Sequence, residues 1–136
     1  MRRIVISLGV LACAAGVSAA TAQAPRVRIT APKKNAVTGP DVTVSLEATG
    51  VQVVPASGLK EDGKGHHHLF IDAPLTPADS IIPKTEQIVH LGSGAASYEL
   101  KGLPPGKHTV IAVFAWGNHV PVAGMKPDTV TFTVRK

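Results

Sequence analysis

From residue 23 onward the chain is built of short stretches in which apolar and polar side chains alternate one for one. Val27 and Ile29 alternate with Arg26, Arg28 and Thr30. Val42, Val44, Leu46 and Ala48 alternate with Thr43, Ser45 and Glu47, and Val130, Phe132 and Val134 with Thr129, Thr131 and Thr133. Successive side chains on an extended strand point to opposite faces, so each stretch predicts a strand with one buried and one wet face. Residues 107–115 break the alternation: Val110-Ile111-Ala112-Val113-Phe114 is apolar at every position, which predicts a central strand covered on both sides. Further strands are predicted over 51–55, 67–72, 87–91 and 96–100, separated by Gly63-Lys64-Gly65, Pro74-Leu75-Thr76-Pro77, Gly92-Ser93-Gly94 and Leu103-Pro104-Pro105-Gly106. Residues 73–85, with Pro74, Pro77 and Pro83, read as a long connection crossing between sheets. No helical period of useful length, internal repeat or low-complexity tract interrupts this pattern. Seven or eight short strands so punctuated predict an all-β fold, an antiparallel immunoglobulin-like β-sandwich.

The first residues follow a different pattern. Met1-Arg2-Arg3 is a positive start, Ile4 to Val17 is an apolar run broken by Ser7, Gly9 and Gly16, and Ala20-Thr21-Ala22 has the small-x-small form that a signal peptidase cleaves. The run falls short of the roughly 20 apolar residues a bilayer span needs. Residues 1–22 therefore read as a cleaved secretory leader and residues 23–136 as one domain, periplasmic or secreted, with no segment left for stable membrane insertion. An uncleaved anchor and a lipoprotein attached at Cys13 are the rival expectations.

Loss of the leader changes the chemistry available to the mature chain. Arg2 and Arg3 leave with it, so 12 basic side chains face 9 acidic ones. With Lys33-Lys34 and Arg135-Lys136 the only basic pairs and one Trp, one Tyr and three Phe, this mild excess is no nucleic-acid footprint. The only cysteine, Cys13, leaves too, which excludes disulfides, iron–sulfur clusters, thiolate zinc, blue copper and cysteine nucleophiles from the mature domain.

What remains is histidine. All six lie between positions 66 and 119, three of them consecutive in Gly65-His66-His67-His68-Leu69-Phe70-Ile71-Asp72. On a strand His66 and His68 share one face about 7 Å apart, while His67 joins Leu69 and Ile71 on the other. Two histidines on one face can chelate one ion, with His119 in Gly117-Asn118-His119-Val120-Pro121 and His90 in Val89-His90-Leu91-Gly92 as further ligands. Imidazole-only sets suit copper(II), zinc(II) or nickel(II), and Met125 could assist copper(I). His67 and His108 read as packed or hydrogen-bonded residues. Asp72 is either a group orienting an imidazole or a turn aspartate before Pro74. Glu61-Asp62-Gly63-Lys64-Gly65 lacks the ligand pattern of a calcium loop, and no nucleophile elbow, H-E-x-x-H helix or phosphate loop is present.

Four segments, Gly65 to Asp72, His90-Leu91-Gly92-Ser93-Gly94, Leu103-Pro104-Pro105-Gly106-Lys107-His108-Thr109 and Asn118-His119-Val120-Pro121, resemble in content and order the bacterial exported family known as domain of unknown function 4399. The resemblance spans about residues 50–135. It implies a short exported β-sandwich domain without an assigned activity. Relatives tend to carry further histidines around Asn-His-Val-Pro, where this chain has Gly117 and Val122.

The expectation is thus a non-enzymatic periplasmic binding module, with His66, His68, His119 and His90 forming a site for copper or zinc. The alternative is a structural or adhesive immunoglobulin-like module whose histidines form a hydrogen-bonded network without metal and whose protein partner docks on a sheet edge. An enzyme is the third reading: a histidine-ligated metal can activate water, but the sequence offers no nucleophile, acid–base pair or substrate-positioning set to accompany it.

Overall fold

The computed structural model describes residues 21–136. The expected leader, apart from its last two residues, lies outside the described residues, as does Cys13. Among the described residues no helix is long and apolar enough to cross a membrane.

The described residues form nine strands: β1 (Arg26–Ala31), β2 (Val37–Thr38), β3 (Val42–Thr49), β4 (Gln52–Val53), β5 (Lys64–Ile71), β6 (Ile88–His90), β7 (Ser97–Leu100), β8 (Gly106–Ala115) and β9 (Asp128–Val134). One sheet has the order β1-β3-β7. The other runs β2-β9-β8-β5-β4, with β6 also paired to β5. The immunoglobulin-like all-β sandwich expected from the alternation is therefore present, with two departures from a purely antiparallel pattern. β2 pairs with β9, and β4 with β5, in parallel. Each parallel contact is only two residues long, and β2, exposed at Val37 and flanked by Asn35 and Gly39, carries no apolar alternation to announce it.

The inner faces build the core. Val27, Val42, Val44, Leu46 and Leu100 from the small sheet meet Leu69, Val110, Ala112, Phe114, Val130, Phe132 and Val134 from the large one, all buried. Full burial of each large side chain contributes roughly 1.5–3 kcal/mol. β8 lies between β5 and β9, as its unbroken apolar run predicts. Its second face, carrying Val113 and Ala115, is buried as well, by Phe70, Ile82 and Ile88 in a smaller outer cluster.

Ile82 belongs to residues 72–87, and here the expectation needs correcting. That segment does not cross between the sheets. It leaves β5, passes over the outer face of the large sheet and returns to pair with β5 again as β6. The physical reason is the surplus of apolar surface on β5 and β8, which Ile82 covers at 2% exposure. The strap is held there by the Ile82 N–H, which donates to the His119 carbonyl at 2.9 Å.

Candidate metal centre

Register on β5 decides which histidine meets which neighbours. His66, His68 and Phe70 pair directly with Ala115, Val113 and Ile111, whereas His67, Leu69 and Ile71 pair with Phe114, Ala112 and Val110. The first set is the outer face under the strap and the second is the sandwich core. On the other side of β5, His90 of β6 stands directly opposite His68. Gly65 permits the close approach at the start of this ladder, since a Cβ there would collide with the Ala115 carbonyl oxygen.

His119 arrives from a turn at the end of β8. The His119 N–H donates to the Trp116 carbonyl at 2.8 Å, the Trp116 N–H to the Val120 carbonyl at 3.0 Å, and the Val120 N–H to Asn118 Oδ1 at 3.2 Å. His119 itself takes φ 68°, a left-handed conformation that costs a side-chain-bearing residue about 1 kcal/mol or more. Gly117 lets the turn seat against the 54–63 loop, because a Cβ there would run into Ser57 and Leu59.

These elements bring four imidazoles into one cluster. Ring centroids lie 4.6 Å apart for His66 and His68, 4.9 Å for His66 and His119, 5.6 Å for His68 and His119, 4.5 Å for His68 and His90, and 5.2 Å for His90 and His119. One ring nitrogen each from His66, His68 and His119 lies within 4.8 Å of the others. Three atoms so spaced share a point no more than about 2.8 Å from each, against zinc–nitrogen bonds of about 2.0–2.1 Å. Side-chain rotations of under about 1 Å close that difference.

His66 and His68 are fully buried, and neither ring nitrogen of either residue has a hydrogen-bond partner. Buried polar groups are rarely left so, at a cost of about 1–3 kcal/mol each. Burial pushes the His66 imidazole down to about 4, helped by the charges that His119, His90 and His67 would carry. Burial likewise pushes His68 to about 2, with His66, His90 and His119 adding to the effect and the His66 backbone weakly opposing it. His119 is lowered by burial, then by His90 and Lys84, against a weak opposing contact with the Asn118 backbone. Near neutral pH these rings are uncharged, the form that ligates a metal.

His67 shows that burial without a partner is not by itself a site. Its nitrogens are also unpartnered, and burial lowers it to about 4, but its aromatic neighbour is Phe114, edge-on at 5.2 Å. It packs as a neutral ring in the core. Met125 lies in that core cluster too, with Leu69 and Phe114. His108 and Asp72 pair with each other, away from the cluster: His108 Nδ1 lies 2.6 Å from Asp72 Oδ2 and Nε2 lies 2.7 Å from the Pro104 carbonyl. Two acceptors require two donors, so this ring is held protonated. Burial alone would lower it, but the Pro104 carbonyl and the Asp72 carboxylate together raise it. Asp72 does not orient a candidate ligand: it sits in a bend with φ 51°, and the imidazole it holds is that of His108.

The strap residues Ile82 and Pro83 were missed by sequence reasoning. They touch the cluster through backbone atoms, which leave no side-chain signature; Pro83 within a long apolar-and-proline connection was the only hint.

The sequence pattern of the family described as Domain of unknown function (DUF4399) matches residues 44–135, a span that holds all six histidines. The chain belongs to this DUF4399 family. No curated protein matches it. Among solved structures, the DUF4399 chain is similar to the fibronectin(III)-like modules of CbhA from Clostridium thermocellum, at 19% identity and a TM-score of 0.50, over 80% of this chain and 96% of that one. That likeness is one of fold and supports a fibronectin-III-like, immunoglobulin-like module.

Proposed function

We propose that the protein is an exported, non-enzymatic binding module that holds one divalent ion of the copper or zinc type between His66, His68 and His119, with His90 beside them. The observation that carries this reading is the convergence, within 4.8 Å, of ring nitrogens from three histidines, two of which are fully buried and without any hydrogen-bond partner. A hydrogen-bonded histidine network would instead direct these nitrogens at carbonyls and carboxylates, as His108 does. The non-catalytic reading is supported by the fold class, and the choice of ion by a convergent group made of imidazoles alone, a donor set suited to copper, zinc or nickel. Export is supported by the leader-like pattern of residues 1–22.

The test is calorimetric titration of the untagged chain with Zn(II) and Cu(II), beside a His66→Ala/His68→Ala variant. Micromolar or tighter binding that the variant loses is the expected result. Absence of binding by the parent chain would leave the module without this ion site.

A further inference from the structure

Three imidazoles and a water are the ligand set of a catalytic zinc; a fourth protein ligand makes the site a closed, structural one. We infer that His90 is that fourth ligand, entering through Nδ1, and that the Pro83 carbonyl of the strap selects this nitrogen. The inference rests on the metal reading above and decides what kind of centre it is.

His90 Nε2 lies 3.1 Å from the Pro83 carbonyl oxygen. A carbonyl can only accept, so Nε2 carries the proton. In a neutral imidazole the lone pair then sits on Nδ1. That atom is buried and has no hydrogen-bond partner, and its ring stands 4.5 Å from His68 and 5.2 Å from His119, centroid to centroid. A histidine that offers one nitrogen to a metal and donates the other N–H to a backbone carbonyl is the usual arrangement of a metal ligand. The pairing of β6 with β5 fixes the ring's place opposite His68 independently of any ion.

The strap is therefore the support of the centre on two counts. Its Ile82 N–H holds the carbonyl of His119, and its Pro83 carbonyl holds the ring of His90. Consecutive residues of one segment grip two of the four ligands. Loading the centre fixes both ligands and, through them, the strap, and four imidazoles leave a tetrahedral ion with no position for water or substrate.

The full untagged chain is titrated with Zn(II) and with Co(II) in parent, His66→Ala and His90→Ala forms. Long-range nitrogen spectra of the imidazoles are recorded on the parent, and amide exchange of the strap is followed with and without Zn(II). Expected are a loss of about ten-fold or more in Zn(II) affinity for His90→Ala, intense four-coordinate Co(II) absorption in the parent that weakens in the variant, a zinc-induced shift at His90 Nδ1 with Nε2 still protonated, and slower exchange at Ile82. Zinc binding that depends on His66 but is unchanged by His90→Ala, or a parent spectrum with His90 Nδ1 unperturbed, overturns the inference and leaves the three-histidine reading standing. No zinc binding by the parent overturns both. The nitrogen spectra need no variant, so a misfolded His90→Ala does not block the decision.

Discussion

The rings of His68 and His90 face each other across the β5–β6 ladder, 4.5 Å apart and inclined at 75°, and no hydrogen bond joins them. Backbone pairing sets the two imidazoles opposite each other, and the Pro83 carbonyl steadies the His90 ring. The protein therefore carries the cost of desolvated, unpartnered nitrogens, a cost that the proposed ion would offset.

Replacing His68 with leucine, of similar volume, should raise the metal-free unfolding free energy by about 1–3 kcal/mol while abolishing the stabilisation that Zn(II) gives the parent. His67→Leu should give a similar gain and leave zinc binding untouched, because His67 faces Phe114 and not the cluster. Urea unfolding with and without Zn(II) separates the two; a destabilised, still zinc-responsive His68→Leu would contradict the assignment.

Acid should weaken the metal-free fold before its carboxylates titrate. His66 and His67 sit near 4 and His68 near 2 in the folded chain, below the ordinary value of 6.5. The unfolded chain takes up these protons first, so their contribution is complete above pH 6.5 and is lost as pH falls toward 4, and for His68 toward 2. His108 runs the other way: raised when folded, it contributes fully below pH 6.5 and loses its effect as pH rises through its folded value. Urea midpoints should therefore drop steadily from pH 7 to pH 5, and a flat profile over that interval would count against neutral burial of the three rings.

Asp72→Asn should lower the His108 pKa, read directly from its ring resonances. The carboxylate is about 40% exposed, so with solvent screening the expected loss is only about 1 kcal/mol at pH 6. It should shrink at a pH above the folded value of His108, where the parent has lost that proton too. Equal losses at both pH values would assign the effect to the Thr109 N–H bond to Asp72 instead of to the ion pair.

Phe70 is fully buried in the outer cluster with Ile82 and Ile88. Phe70→Ala should cost about 3–5 kcal/mol and, by loosening the strap, speed amide exchange at Ile82 more than at Val44 in the distant small sheet. Uniform acceleration across both would show that the strap has no local stability of its own.

Much of this architecture was legible in the sequence because it depends on local alternation. Val42 to Ala48 and Val130 to Val134 announce their buried faces, the unbroken run in β8 announces its central place, and the two-residue period of β5 separates His66 and His68 from His67. His90 and His119 were nameable as candidates only by their neighbourhoods; their approach to β5 is a matter of long-range register and of a left-handed turn residue. The strap's return to its own strand, the two short parallel pairs and the Asp72–His108 pair depend on contacts between segments distant in the chain, which periodicity does not encode.

The cluster's two halves also differ in how freely they can change. His66 and His68 sit on a strand enclosed by ladders on both edges, where a one-residue slip would put His67 and Leu69 in their place and turn polar rings into the core. His119 sits at the tip of a turn and can be exchanged without disturbing any ladder. If the proposed ion binds, its identity is open to change through this single loop position, where a carboxylate or thioether would retune the donor set, while the strand that anchors the cluster stays fixed by the requirements of folding.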